Sequence, residues 1–283
     1  MRLLLLLGLL VTLFLLSSCK KYQPADSSFF VKADAIRVNT NVLAEGTGSH
    51  KIVDLWLYVN GKYQGTYPVG NIMPIVNKDE PTRINIFAGI KNNGISDTRI
   101  FYPFYEPLTI DTFIKAGETI NRPFTFKYRS STVFDMNEDF ESVGIKIKNT
   151  GDLKYTMAAP EDCFEGKSIM MTLPGLTYSH ASIQSINSYS FQTGSSDIYL
   201  ELNYKSNVAF SVGLKSSDGL QSAVALGVNP QENWNKIYIQ LSTAVSTIVA
   251  NKYVLYIEFF KDATDASTKQ LFLDNIKLIH IPQ

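Results

Sequence analysis

The sequence predicts an all-β protein, an immunoglobulin-like or transthyretin-like sandwich followed by a C-terminal β jelly roll. Three observations carry this. Short apolar segments alternate with period two between clusters of Gly, Asn, Asp and Pro from Phe29 onward, which is the pattern of half-buried strands. No stretch sustains the 3.6-residue period of a long helix. The 283 residues exceed what one small sandwich needs and suit two domains of ordinary size.

The chain opens with Met1-Arg2, an unbroken apolar run from Leu3 to Val11, and Leu16-Ser17-Ser18-Cys19. A positive start, an apolar core too short to span a bilayer and small residues before the cysteine describe an export leader. The run Leu16 to Cys19 resembles the lipobox of bacterial lipoprotein precursors. That resemblance implies removal of residues 1–18, acylation of Cys19, and lipid anchoring at the outer membrane, with the periplasmic and extracellular faces both open. Residues 19–28 are polar with one proline and suit a flexible tether. With Cys19 acylated, Cys163 has no cysteine to pair with, and a buried apolar thiol is its expected state.

Residues 29–129 form the first predicted domain. Ile52 to Val59 and Lys62 to Tyr67 flank Asn60-Gly61, whose tolerance of positive φ suits a tight hairpin. Phe30 to Asn39, Arg83 to Ile90, Thr109 to Ile114 and Thr119 to Tyr128 are further strands. Two aromatic groups suggest a docking surface for a partner: Trp56 and Tyr58, which share a strand face with Asp54, and Tyr102 and Tyr105 within Phe101-Tyr102-Pro103-Phe104-Tyr105. The same residues also suit a second buried layer or a contact between domains.

Residues 130–138 lose the alternation, carry Asp135 and Glu138, and are expected to link the domains. In residues 139–283 eight strands are predicted: Gly144 to Lys148, Ser168 to Leu173, Ser188 to Gln192, Ile198 to Tyr204, Val208 to Leu214, Lys236 to Leu241, Tyr253 to Phe260 and Leu271 to His280. Three of them repeat one pattern, Tyr199-Leu200-Glu201, Tyr238-Ile239-Gln240 and Tyr256-Ile257-Glu258. Each puts a tyrosine beside an acid or amide on one face. If the faces adjoin, flat rings and hydrogen-bonding groups provide what a glycan cleft requires; if not, they are solvent-facing strand formers.

Asp139-Phe140-Glu141-Ser142, Phe164-Glu165-Gly166-Lys167-Ser168, Trp234 before a strand and Phe272-Leu273-Asp274-Asn275-Ile276 occur in that order. The set resembles galactose-binding-like jelly rolls, including many carbohydrate-binding modules. The resemblance implies a structural calcium held by Glu141 and Asp274 with carbonyl oxygens near Lys167, and a core position for Trp234.

Lys+Arg and Asp+Glu both number 26, so no net field favours nucleic acid. His50, His180 and His280 stand in unrelated contexts, Ser179-His180 lacks an elbow motif and an orienting acid, and no catalytic residue is predicted. The expected function is therefore non-catalytic binding at the envelope, as an accessory subunit of an outer-membrane complex or, alternatively, as a surface glycan binder using Tyr199, Glu201, Tyr238, Gln240, Tyr256 and Glu258.

Overall fold

A computed structural model describes residues 28–76, 80–194 and 197–282; Cys19 and the leader lie outside them. The N-terminal half contains β1 (Ser28–Val38), the short helix α1 (Val42–Glu45), β2 (Asp54–Val59), β3 (Lys62–Pro68), β4 (Met73–Val76), β5 (Thr82–Lys91), β6 (Arg99–Phe101), β7 (Leu108–Thr112) and β8 (Thr119–Phe126). The C-terminal half contains β9 (Val133–Glu138), β10 (Ile147–Asn149), β11 (Thr156–Met157), β12 (Ile169–Leu173), β13 (His180–Ser185), β14 (Ile198–Ser206), β15 (Phe210–Ser216), β16 (Ser222–Val228), β17 (Gln231–Gln240), helix α2 (Ser242–Thr247), β18 (Tyr253–Phe260) and β19 (Lys269–His280).

In the N-terminal half one sheet runs β4-β1-β8 and the other β3-β2-β5-β6, with β7 on the same edge of β5 as β6. Leu55, Leu57 and Val59 of β2 and Ile84, Ile86 and Ala88 of β5 point into the space between them. At the β2–β3 turn Asn60 and Gly61 take φ 48° and 77°, the geometry their sequence favours. Pro74 interrupts the pattern of β4, which the sequence does not reveal as a strand. The structure puts β4 at a sheet edge, where a missing N–H is tolerated.

The C-terminal half is a jelly-roll sandwich of two antiparallel sheets. One runs β10-β13-β18-β15-β16; the other runs β11-β12-β19-β14-β17, with β9 also paired to β19. Their inner faces share one core that includes Ile183, Leu202, Val212, Leu255, Ile257, Leu273 and Leu278. The predicted strand Ser188 to Gln192 reduces to a single bridge, Tyr189 to Tyr253. Part of the expected linker is itself strand, since β9 pairs Val133–Glu138 with the last strand. Its acidic character misleads: the Glu138 carboxylate is buried and accepts the backbone N–H groups of Phe140 and Lys146, so it holds the turn instead of facing water.

The halves meet through side chains as well as chain continuity. Tyr199, Tyr238 and Ile279 of the C-terminal half pack in the N-terminal core. Asn92 bridges to Tyr238, Asn93 N–H donates to Tyr238 C=O at 2.9 Å, and Gln240 N–H donates to the Asn93 side chain at 2.9 Å.

Candidate ligand-binding surfaces

Alternation places Tyr199 and Glu201 of β14 and Tyr238 and Gln240 of β17 on one face, and strand pairing brings these neighbours together in register. That face is covered by the N-terminal half. Glu201 is fully buried; Tyr102 and Tyr128 each donate a phenol hydrogen to its Oε1 at 2.8 Å, and Lys236 Nζ lies 2.9 Å from its Oε2. Tyr102 contacts the rings of Phe104, Tyr105, Tyr199 and Tyr238. The Tyr238 hydroxyl accepts Lys51 N–H at 2.9 Å. The expected glycan contacts at Tyr199, Glu201 and Tyr238 are thus inaccessible, and Gln240 hydrogen-bonds Asn92 at the same junction. Tyr102 and Tyr105, expected at a partner surface, are sealed in it too. The reason is common to all of them: tyrosine rings and a paired acid can line a buried contact as readily as an open one.

The charges explain how the junction tolerates the acid. Burial pushes the Glu201 carboxyl up, but Lys236 and Lys277 outweigh it and leave the carboxyl below its ordinary value. Burial lowers Lys277 to about 8, partly offset by Glu201, while its ammonium donates to Thr47 C=O at 2.6 Å.

The third copy of the motif has a different fate. On β18, Tyr253, Leu255, Ile257 and Phe259 enter the core, so Tyr256, Glu258 and Phe260 lie on the outer face of the five-stranded sheet. Tyr256 lies across β15 at Gly213, where a Cβ would come within 2.5 Å of its ring. Lys215 Nζ lies 4.5 Å from the ring centroid, and the ring is buried, so the expected glycan contact at Tyr256 is inaccessible like those at Tyr199 and Tyr238. Pairing of β13 with β18 sets His180 opposite Phe260; the rings stack at 4.5 Å and 9°, and His180 Nε2 is 3.1 Å from Glu258 Oε2. Phe260 remains 63% exposed. Phe260 was findable, because it follows Tyr256 and Glu258 on the same alternation; His180 was not, because β13 is not evident in the sequence.

Trp56 and Tyr58 occupy the outer face of the β3-β2-β5-β6 sheet. With Tyr63, Phe87 and Phe101 they form a closed circuit of five ring contacts with centroids 5.2 to 6.0 Å apart. Tyr63 and Phe101 are its exposed members. Ion pairs flank it, Arg99 to Asp54 at 2.6 Å and Arg83 to Asp111 at 2.7 Å.

Glu141 and Asp274 reach the same turn. Glu141 accepts Lys167 N–H; Asp274 Oδ2 accepts the Ser168 hydroxyl at 2.8 Å and Glu165 N–H at 3.2 Å. Burial drives the Asp274 carboxyl up to about 6, and the nearby Glu165 pushes the same way. A buried carboxylate whose charge lacks a cationic partner suits a calcium ion. Among the described residues no group of three or more His, Cys, Asp or Glu side chains gathers as metal ligands, so carbonyls and water would complete the shell. Cys163 is half-buried with Sγ 3.4 Å from Ala159 C=O, not enclosed in an apolar core. Trp234 is half-buried against Phe164 and Phe272, its Nε1 donating to Asp162 C=O at 3.1 Å.

No family model and no curated protein matches the chain. Solved structures similar to part of it include the family 11 carbohydrate-binding module of a cellulosomal cellulase of Clostridium thermocellum, at 19% identity and TM-score 0.36 over 52% of this chain and 94% of that one. A family 29 carbohydrate-binding module matches at 12% identity and TM-score 0.35 over 53% of this chain and 88% of that one. Another family 29 module, complexed with cellulohexaose, matches at 13% and 0.36 over 54% and 92%.

Proposed function

We propose that this protein is a non-catalytic, lipid-anchored envelope protein that binds a saccharide on the outer face of its five-stranded sheet. The observation that carries the reading is the exposed Phe260 ring, stacked on His180 and set beside Glu258. A ring face offers a flat apolar surface to a sugar, and the carboxylate and imidazole beside it accept and donate to hydroxyls. Lys215, whose Nζ lies over the buried Tyr256 ring, extends the strip along the sheet. The test is affinity electrophoresis and calorimetry on a panel of neutral β-linked oligosaccharides. Phe260→Ala and His180→Ala are expected to weaken binding about tenfold each, near the value of one lost ring contact. No binding across a broad panel sinks the reading.

A second reading is favoured by the five-ring face of the N-terminal half, whose aromatic character and flanking ion pairs suit a protein partner in the envelope. It predicts a stoichiometric partner after crosslinking in mild detergent, lost on Trp56→Ala with Phe101→Ala. Recovery of the wild-type chain as a free monomer under the same conditions ends it. In either case the acyl anchor at Cys19 supplies the membrane attachment, and Cys19→Ser releases folded protein from the membrane fraction. Calcium at Glu141 and Asp274, if bound, acts as a structural brace and raises Tm at millimolar concentration; a Tm indifferent to calcium and to chelator removes it.

A further inference from the structure

A cavity of about 490 Å³ opens where the halves meet. One wall comes from the N-terminal half: Lys51 ahead of β2, Lys91 at the end of β5, and the turn at Asn93. The other comes from Asn229, Gln231 and Asn235 around the β16–β17 turn. Its size is that of an ordinary small-ligand site, and a domain junction is where such sites recur.

Its charge is one-sided. The charged residues that line it are Lys51, Lys91 and Lys236. Lys236 is paired with the buried Glu201. The other two have only neutral partners: Lys51 Nζ donates to the Asn235 side-chain oxygen, and Lys91 Nζ to Ser96 Oγ at 3.1 Å. Among the described residues neither ammonium forms an ion pair with a carboxylate. Burial lowers the Lys51 ammonium and repulsion from Lys91, on the same wall, lowers it further. Two ammonium groups held near one another without an anion are a cost that an incoming anion relieves. The remaining polar side chains are the amides of Asn93, Asn229, Gln231 and Asn235 and the phenols of Tyr204 and Tyr238, groups that donate and accept at once, which matches sugar hydroxyls better than a bare inorganic anion. The wall is also fixed in place. Asn93 N–H bonds to Tyr238 C=O, and the Asn93 side-chain oxygen accepts Gln240 N–H.

From this juxtaposition we infer that the cleft between the two halves binds an acidic saccharide, its carboxylate between Lys51 and Lys91 and its hydroxyls on Asn93, Asn229, Gln231 and Asn235. The site is separate from the outer sheet face and does not depend on that face binding anything. The experiment is calorimetric titration of the full chain in detergent with trigalacturonate and, as controls, with a neutral galactose trisaccharide and inorganic sulfate. Trigalacturonate is expected to bind, to weaken as salt rises, and to lose at least about tenfold in affinity in a Lys51→Gln, Lys91→Gln double variant whose Tm is unchanged. The neutral trisaccharide is expected to bind at least about tenfold more weakly, and Phe260→Ala to leave the trigalacturonate affinity unaltered. Absence of trigalacturonate binding, an unchanged affinity in the folded double variant, or loss of that affinity in Phe260→Ala overturns the inference. So does sulfate displacing trigalacturonate at equal concentration, which would leave only a general anion site. Were the neutral panel to fail on the outer face while trigalacturonate still bound, the outer-face reading alone would fall.

Discussion

The Tyr-Leu-Glu of β14 and the Tyr-Ile-Glu of β18 are nearly the same tripeptide, on central strands of the two sheets of one sandwich, yet they end in opposite environments. Glu201 is sealed between the halves with two tyrosine hydroxyls and a lysine on it; Glu258 stands on an outer sheet face beside a histidine. Strand alternation decides only which residues travel together on a face. What that face meets is decided by the packing of another part of the chain, here β5, the Tyr102–Tyr105 segment and Tyr128 of the N-terminal half. The glycan-like chemistry read from three repeated motifs is therefore two chemistries, a buried junction and an outer sheet face on which the acid is part-exposed and the tyrosine buried.

The largest effect should come from breaking the buried copy. Glu201→Gln leaves Lys236 and Lys277 together without their carboxylate, and loss of one partner from a buried pair costs about 3–5 kcal/mol. Urea unfolding is expected to show this loss, with wild type unfolding in one transition and the variant separating into two as the halves lose their common contact. A variant within 0.5 kcal/mol of wild type would mean that the junction is not held by this carboxylate.

Tyr102→Phe tests the same junction more gently. It removes one of two hydroxyls from Glu201 Oε1 while keeping the ring contacts, and hydrogen bonds to charged groups contribute roughly 1.5–3 kcal/mol. The expected loss lies in that interval, and combining it with Glu201→Gln should give less than the sum because the two residues share one interaction.

Asp274 sharpens the contrast from a different side, as a buried carboxylate with no cation beside it. Its folded value is about 6 against an ordinary 3.8, so in calcium-free buffer the folded state holds a proton that the unfolded state has released. Stability from this group is full below pH 4 and falls as pH rises to about 6, where it levels off. A shift of this size corresponds to at most ~3 kcal/mol between the two ends of the profile. Asp274→Asn should flatten that part of the pH profile measured by thermal unfolding; an unchanged profile would place its origin elsewhere.

The legibility of the chain follows the same division. Strands with a clean apolar face were evident: the Asn60-Gly61 hairpin sits as expected, and β18 has the predicted limits, Tyr253–Phe260. Strands whose identity depends on a neighbour were not. β4 carries a proline at a sheet edge, β6 has three residues, and β9 hides under acids that face inward. At the sites, Trp56 and Tyr58 were seen correctly as one strand face, but Tyr63, Phe87 and Phe101 join them only through sheet pairing. Burial of Tyr102 and Tyr105 at a contact between halves was among the open sequence readings, and only the assembled structure selects it. Lys51 and Lys91 gave no sequence signal at all, being isolated lysines 40 positions apart that tertiary packing sets on one cavity wall.

The smallest expected change in stability is at Glu258, and it makes the comparison with Glu201 direct. Glu258 and His180 are partly exposed, with side chains 16% and 29% accessible, and such ion pairs contribute roughly 0–1 kcal/mol. Glu258→Gln keeps the shape, leaves no cation stranded in the interior, and should unfold within that margin of wild type. If the outer face binds saccharide, the same substitution removes a charged acceptor beside the Phe260 ring and lowers affinity for the neutral panel, about tenfold for one such contact. Glu201→Gln should do the reverse, lowering stability severalfold more while leaving outer-face affinity in the folded fraction intact. A Glu258→Gln protein as destabilised as Glu201→Gln would show that the outer face is packed against something in the folded chain, and the distinction between the two copies of the motif would collapse.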